Sequence, residues 1–359
     1  MRGLILGTPI SILTPDAQYT DDGIVERETS GADVDWFIYR ERSLMETQIS
    51  EDVLKTVDAV VVWHERKVDA AFIDSLTNCK VIVRAGVGFD HIDIRAAGAA
   101  GLPVCNTPDY GTSEVADHAI GLMLAFTRGV VTYHEALRRD PLGNYDSTCA
   151  PLVRRIRGRV FGVVGLGRIG TATALRAKAF GMRVAVYDPY VSPGTEIAVG
   201  VERVNTLNEL LAQSDVVSLH TPLTDETLNM IDAVALSKMK RDAIIINTAR
   251  GAIIDIAALL DALDAGTIAG AGIDVLPVEP PSANDLVFAA LGPLGRAAND
   301  GRLIITPHAA WSSPESRQDA RRLSVETAMF YLREGRLRNL VNEPFLHNRR
   351  PLDASLTHN

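Results

Sequence analysis

The stretch VFGVVGLGRIG, residues 160–170, decides the fold. It opens with an apolar run, Val160–Val164, that reads as a buried parallel strand, and it passes through Gly165, Gly167 and Gly170 into a helical pattern over Ile169–Phe180. Glycines at this spacing permit a tight turn and close approach of backbone to a pyrophosphate, while the helix start offers free N–H groups and positive dipole. The next apolar run, Arg183–Tyr187, closes on Asp188, whose carboxylate can accept from adenosine ribose hydroxyls and repel a 2′-phosphate. Alone, the glycine triplet is weak evidence and Asp188 is an ordinary turn residue before Pro189. Strand, triplet, helix and acid in this order make a specific dinucleotide signature, with NAD favoured over NADP.

Outward from it, apolar runs continue at Val216–Leu219, Ala243–Asn247, Gly270–Val275 and Leu303–Thr306. An earlier series reads as strands at Gly3–Leu6, Val34–Tyr39, Ala59–Val62, Val81–Ala85 and Val104–Asn106. Strands alternating with helical patterns predict an α/β protein of two domains with parallel sheets. The Arg-rich stretch Asp140–Arg159 separates the series, and its RRIRGR segment reads as a solvated lead-in to a strand. A helix is predicted from Ser312 or Ser313, with Pro314 in its first turn, to about Glu334; residues beyond Glu343 read as a mobile tail.

Composition narrows the function classes. The 36 Lys plus Arg against 45 Asp plus Glu give a net charge of -9, which disfavours nucleic acid and anionic membranes as partners. Cys79, Cys105 and Cys149 are too few and too far apart for a disulfide framework or a metal cluster, so no metal is expected and a cytoplasmic setting fits. Pro9 and Pro15 interrupt the apolar N-terminus, which reads as a strand rather than a leader, and no run is long enough to span a bilayer.

Ligands of open parallel sheets lie beyond the strand carboxyl ends. There stand Arg250 in INTARG, Asp274 and Glu279 in GIDVLPVEP, and His308 in TPHAAW. Arg250 can clamp a substrate carboxylate and polarise its carbonyl, His308 can protonate the forming alkoxide, and Glu279 can orient the imidazole and favour its charged form. Each residue taken singly is ordinary; their joint placement downstream of the fingerprint points to hydride transfer.

These motifs, GLGRIG, NTARG, the Glu-Pro after GIDV, and TPHAAW, resemble the D-isomer-specific 2-hydroxyacid dehydrogenases over roughly residues 58–345. RAGVGFDHID, LRAKAFG, YDPY and HAAW are closest to the C-terminal-binding-protein (CtBP) branch. The resemblance implies a Rossmann domain, residues 111–307, inserted into a flavodoxin-like substrate domain, residues 1–110 and 308–359. It implies Arg250, Glu279 and His308 as the catalytic triad. It further implies NAD bordered by Gly165, Gly167, Arg168, Ile169, Gly170, Asp188, Thr221, Pro222, Thr227, Thr248, Ala249, Arg250, Asp274 and His308, with Asp274 near the nicotinamide amide. The substrate, a small 2-oxo or 2-hydroxy acid, is expected on Arg84, the backbone of Gly86, Val87 and Gly88, Arg250, His308 and Trp311; His64 is either a pocket residue or an ordinary strand-end histidine. A homodimer is implied through the helix Thr112–Arg128 and the segment to Val153.

Two stretches depart from the pattern. The interval from Glu279 to His308 is long, with the extra length expected around Leu291–Gly301, and Asp109–Thr112 differs from the branch. Phosphoglycerate dehydrogenase and glyoxylate or hydroxypyruvate reductase stay open as activities, and a CtBP-like NAD-sensing scaffold stays open as the reading from another class. Glu279 argues against formate dehydrogenase, whose pattern pairs the histidine with glutamine.

Overall fold

Runs that are apolar on successive residues bury both faces of a strand, and here they assemble into two parallel sheets. The structure, a computed structural model, describes residues 9–41, 48–282, 285–286 and 301–352. The chain divides into one unit of residues 1–111 with 313–359 and a second of residues 112–312.

The first unit holds β1 (Ile10–Thr14), β2 (Val34–Ile38), β3 (Ala59–Val62), β4 (Val81–Arg84) and β5 (Val104–Asn106), in the order β2-β1-β3-β4-β5. This is the flavodoxin-like order, with its switch point between β1 and β3. The expected strand Gly3–Leu6 lies outside the described residues. The run that enters the sheet is bracketed by Pro9 and Pro15, and its Ile12 and Leu13 are fully buried. Prolines just outside a strand take no ladder bond away.

The long helix Pro314–Glu334 starts on a capping box in which Ser313 and Ser316 each accept the other's backbone N–H, at 2.8 and 2.9 Å, and it stops at Gly335 in the left-handed conformation. Its Arg321 binds Glu26 and Asp21, fastening it to the helix Ile24–Ser30 of the same unit. The mobile tail expected after Glu343 is corrected for residues 343–352. Arg350 donates to the carbonyls of Ala100 and Cys79 at 2.9 and 3.1 Å, and the Arg95 guanidinium lies 4.3 Å from the Phe345 ring.

The second unit holds β6 (Val160–Val164), β7 (Arg183–Tyr187), β8 (Glu202–Arg203), β9 (Val216–Leu219), β10 (Ile244–Asn247), β11 (Gly270–Ile273) and β12 (Leu303–Ile305). Their order, β12-β11-β10-β9-β6-β7-β8, is that of a Rossmann sheet carrying one further strand, with the switch point between β6 and β9. Phe161 and Val163 face one core with Val184 and Val186, whereas Val160 and Val164 face the other with Leu210 and Leu219. The edge strand β8 escapes a sequence reading because it is two polar residues long.

Residues 308–312, expected with the first unit, belong to the second. The carboxylate of Asp274 binds the N–H groups of Ala309 and Ala310 there, both at 2.9 Å. Apart from Gly301, the departure around Leu291–Gly301 lies outside the described residues. Among the described residues no helix is long and apolar enough to cross a membrane, and no group of His, Cys, Asp and Glu is arranged to hold a metal.

Candidate active site

Two of the three fingerprint glycines are demanded by the chain itself. Gly165 has φ +93°, and a Cβ on Gly170 would stand 1.9 Å from the Gly165 carbonyl oxygen. Gly167 differs: its φ of -73° suits any residue, and an added Cβ would meet no described atom within 4 Å. That open space, at the uncapped start of the helix Arg168–Ala179, fits the close approach of a pyrophosphate. Arg168 and Ile169 form the helix's first turn.

Asp188 closes β7 and reaches back to this loop. Its carboxylate accepts the N–H of Leu166 at 2.8 Å and those of Tyr190 and Val191 at 2.8 and 3.1 Å. It thus shapes the glycine loop as well as presenting charge beside it. On the other side of β6, the Thr221 and Thr248 hydroxyls are buried without a hydrogen-bond partner among the described residues. Buried hydroxyls ordinarily have partners, so these two fit a bound polar group. Thr227 is turned inward, donating to the Pro222 carbonyl at 2.7 Å and accepting from Thr224 N at 2.8 Å; it holds the 222–227 turn instead of offering its hydroxyl.

Beyond β10, β11 and β12 stand the three predicted catalytic side chains. His308 Nδ1 and Glu279 Oε2 are 2.5 Å apart, with the two side chains 37% and 32% exposed. Glu279 Oε1 accepts from Leu276 N at 2.7 Å. Loss of water pushes the Glu279 carboxyl up, but the hydrogen bond and charge of His308, the Leu276 N–H and the charge of Arg250 together hold it below the usual carboxylate range.

Local geometry holds each member. Asn247, fully buried at the end of β10, donates to the Arg250 carbonyl at 2.8 Å and accepts from Ala249 N at 3.0 Å. Arg250 in turn donates to the Ala249 carbonyl at 2.7 Å. A Cβ on Gly251 would strike the Leu276 carbonyl carbon at 2.0 Å, so the Arg250 and Leu276 turns pack backbone to backbone. His308 has φ +51°, and its N–H donates to the Asp274 carbonyl at 2.8 Å. Asp274 is 1% exposed and both its oxygens accept protein donors, so the observed geometry makes it the support of the His308 turn. Sequence reasoning missed Asn247 in this role, although an asparagine ending the run IIIN was an available signal. Trp311 follows on the same segment, half-buried.

In the first unit, the loop after β4 is bound up with its own arginine. Arg84 is 7% exposed and donates from Nε to the Gly88 carbonyl at 2.8 Å and from a terminal nitrogen to the Ala85 carbonyl. The N–H of Gly86, expected to meet a carboxylate, donates to the Arg84 carbonyl at 2.8 Å; this corrects its role and leaves Val87 and Gly88 as the loop's anion-facing N–H candidates. Asn106 pins the loop through the Val87 carbonyl at 2.7 Å. His64 is exposed on the turn after β3. That turn is held by fully buried Asp16, which accepts from Trp63, Glu65 and Arg66 N–H groups at 2.8 to 3.0 Å and which sequence reasoning had not singled out.

A glycine loop, an acid after β7 and an Arg, Glu and His beyond the strand ends of one Rossmann sheet invite comparison with known proteins. Residues 120–310 match the family model of the D-isomer specific 2-hydroxyacid dehydrogenase NAD binding domain. A curated relative, D-3-phosphoglycerate dehydrogenase of Methanocaldococcus jannaschii, is 36% identical over 93% of this chain and 60% of its own length. The chain spans little more than half the length of the first curated relatives it matches. Among solved structures, an NADPH-dependent glyoxylate/hydroxypyruvate reductase of Sinorhizobium meliloti, in complex with NADP and malonate, aligns with TM-score 0.79 and 29% identity, covering 96% of this chain and 99% of that one. A D-lactate dehydrogenase of Aquifex aeolicus, complexed with NAD and lactic acid, aligns with TM-score 0.78 and 28% identity, over 90% and 96% of the two chains. With the matched model spanning over half of the residues and the same strand order beneath it, the chain belongs to the D-isomer specific 2-hydroxyacid dehydrogenase family.

Proposed function

We propose that this protein is an NAD-dependent D-2-hydroxyacid dehydrogenase, working as a 2-oxoacid reductase in the reverse direction, on a small 2-oxo or 2-hydroxy acid. The observation that carries the reading is the His308–Glu279 pair at 2.5 Å, on the same sheet as a glycine loop with open space at Gly167 and with Thr221 and Thr248 hydroxyls that have no partner among the described residues. When bound, the nicotinamide supplies or takes up the hydride at the substrate carbon next to the carboxylate. Arg250 clamps the carboxylate and polarises the carbonyl, using a guanidinium fork suited to both oxygens. His308 delivers the proton from Nε2 to the forming alkoxide, because its Nδ1 is engaged by Glu279. Glu279 keeps the ring oriented through its hydrogen bond to Nδ1. Arg84 with the Val87 and Gly88 N–H groups is assigned to carboxylate binding, Trp311 and His64 to the pocket wall.

Asp188 favours NAD, since its carboxylate repels a 2′-phosphate. A homodimer is supported by apolar side chains left exposed on residues 130–145: Val130 at 59%, Leu142 at 93% and Tyr145 at 86%. We assign the chain to the cytoplasm on its free cysteines. Within the family we assign it to the CtBP-like branch on RAGVGFDHID, YDPY and HAAW; the matched relatives support the family and not the branch. Steady-state turnover of NADH with a panel of 2-oxo acids tests the reading. Tight NADH binding without turnover on any acid replaces it with a dinucleotide-sensing scaffold.

A further inference from the structure

The turn that carries His308 is strapped by a buried carboxylate. His308 takes up a left-handed backbone conformation that L residues rarely adopt, and its φ of +51° turns the next two N–H groups, of Ala309 and Ala310, onto Asp274. With Asp274 1% exposed, water cannot replace a lost donor. The donors to that carboxylate therefore decide how firmly the turn is held.

One of them leads away from the turn. The Thr306 hydroxyl lies 2.5 Å from Asp274 Oδ1 and 3.0 Å from His118 Nε2, while His118 Nε2 and Asp274 Oδ1 are 3.7 Å apart and do not bond directly. A hydroxyl has one proton to give. Asp274 Oδ1 also accepts the Ala309 N–H, so it is an acceptor and the Thr306 proton points to it. Thr306 Oγ1 must then accept from His118, which puts a proton on Nε2 of that ring. His118 sits on the helix Thr112–Thr127, whose Val115, Ala119 and Leu122 are buried in the same unit, so the ring is fixed to a rigid element.

We propose that His118 is a positioning residue for His308, acting through Thr306 and Asp274 as a directed chain of hydrogen bonds. The proposal rests on the reading of His308 as the proton-transfer group. His118 touches no reacting atom; it orients the Thr306 hydroxyl, which completes the donor set of Asp274, which holds the turn.

The test uses His118→Phe, His118→Gln and Thr306→Val in the full chain. Phenylalanine keeps a flat ring and removes the donor, whereas glutamine keeps an N–H. His118→Phe and Thr306→Val are each expected to speed amide exchange at Ala309 and Ala310, followed by NMR, and to lower kcat for 2-oxo acid reduction about tenfold, as a small misplacement of a catalytic group does. The affinity for NADH, measured by titration, stays the same. His118→Gln restores both readouts to within about threefold, and the double variant His118→Phe/Thr306→Val is no worse than Thr306→Val, because serial links are not additive. Unchanged exchange in His118→Phe, glutamine as damaging as phenylalanine, or additive losses in the double variant overturn the proposal. If the wild-type chain reduces none of the acids, the functional reading fails, and the amide-exchange arm still decides the role of His118.

Discussion

Replacing Gly167 with alanine separates what the fold needs from what the ligand needs. At φ -73° and ψ -162° the backbone accepts a side chain without strain, and the added Cβ meets no described atom within 4 Å. Alanine restricts the unfolded chain more than glycine does, so stability is expected to rise by about 0.4–1 kcal/mol. For a unit of this size that is an increase in Tm of about 1–4 °C. The same methyl enters the space that a pyrophosphate has to occupy, so the Kd for NADH is expected to rise at least about tenfold, equivalent to about 1.4 kcal/mol. Gly170→Ala is the control of opposite sign. Its Cβ would lie 1.9 Å from the Gly165 carbonyl oxygen, where ordinary contact begins at 3.4 Å, so helix and strand must part by more than an ångström. Overpacking of that kind costs about 1–3 kcal/mol and lowers Tm by several degrees. Thermal melts without ligand and fluorescence titration with NADH measure both effects. A Gly167→Ala variant that binds NADH as the wild type does, or that melts several degrees lower, refutes the assignment of this loop.

His308→Ala is expected to lower kcat for reduction by about two to four orders of magnitude while NADH binding persists. Glu279→Gln removes a carboxyl held below its usual range partly by the His308 hydrogen bond and leaves a neutral amide to orient the ring, so kcat for reduction should fall while NADH binding persists; an unchanged kcat counts against the pair. The same downward shift makes ionised Glu279 a contributor to stability above about pH 4.3, fading as acid protonates it, so the stability lost by Glu279→Gln should shrink in acid melts. Asp188→Asn should raise the use of NADP relative to NAD, read as the ratio of their kcat/KM values; an unchanged ratio removes Asp188 from the ribose site. Light scattering at micromolar concentration should give a species of twice 38.8 kDa, and a monomer overturns the dimer.

Local chemistry made much of this protein legible from its sequence. The run Val160–Val164, the three glycines and Asp188 specify strand, turn, helix start and acid through properties that each residue carries wherever it stands: side-chain polarity, the absence of a Cβ, and charge. The helix start at Ser313 and Pro314 was readable for the same reason. Bonds between distant segments were not. Asp274 is 36 residues from Ala310, and only folding reveals that its carboxylate is closed off under the His308 turn. Asn106 pins the loop that carries Gly86 by donating to the Val87 carbonyl, 19 residues earlier, a partner that no local pattern names. The tail after Glu343 lacks periodicity, yet Arg350 binds carbonyls more than 250 residues earlier in the chain. A sequence pattern records what a residue prefers; which partner satisfies a buried donor or acceptor is decided by the whole chain, because an unsatisfied polar group costs the same whether its partner is near or far in sequence.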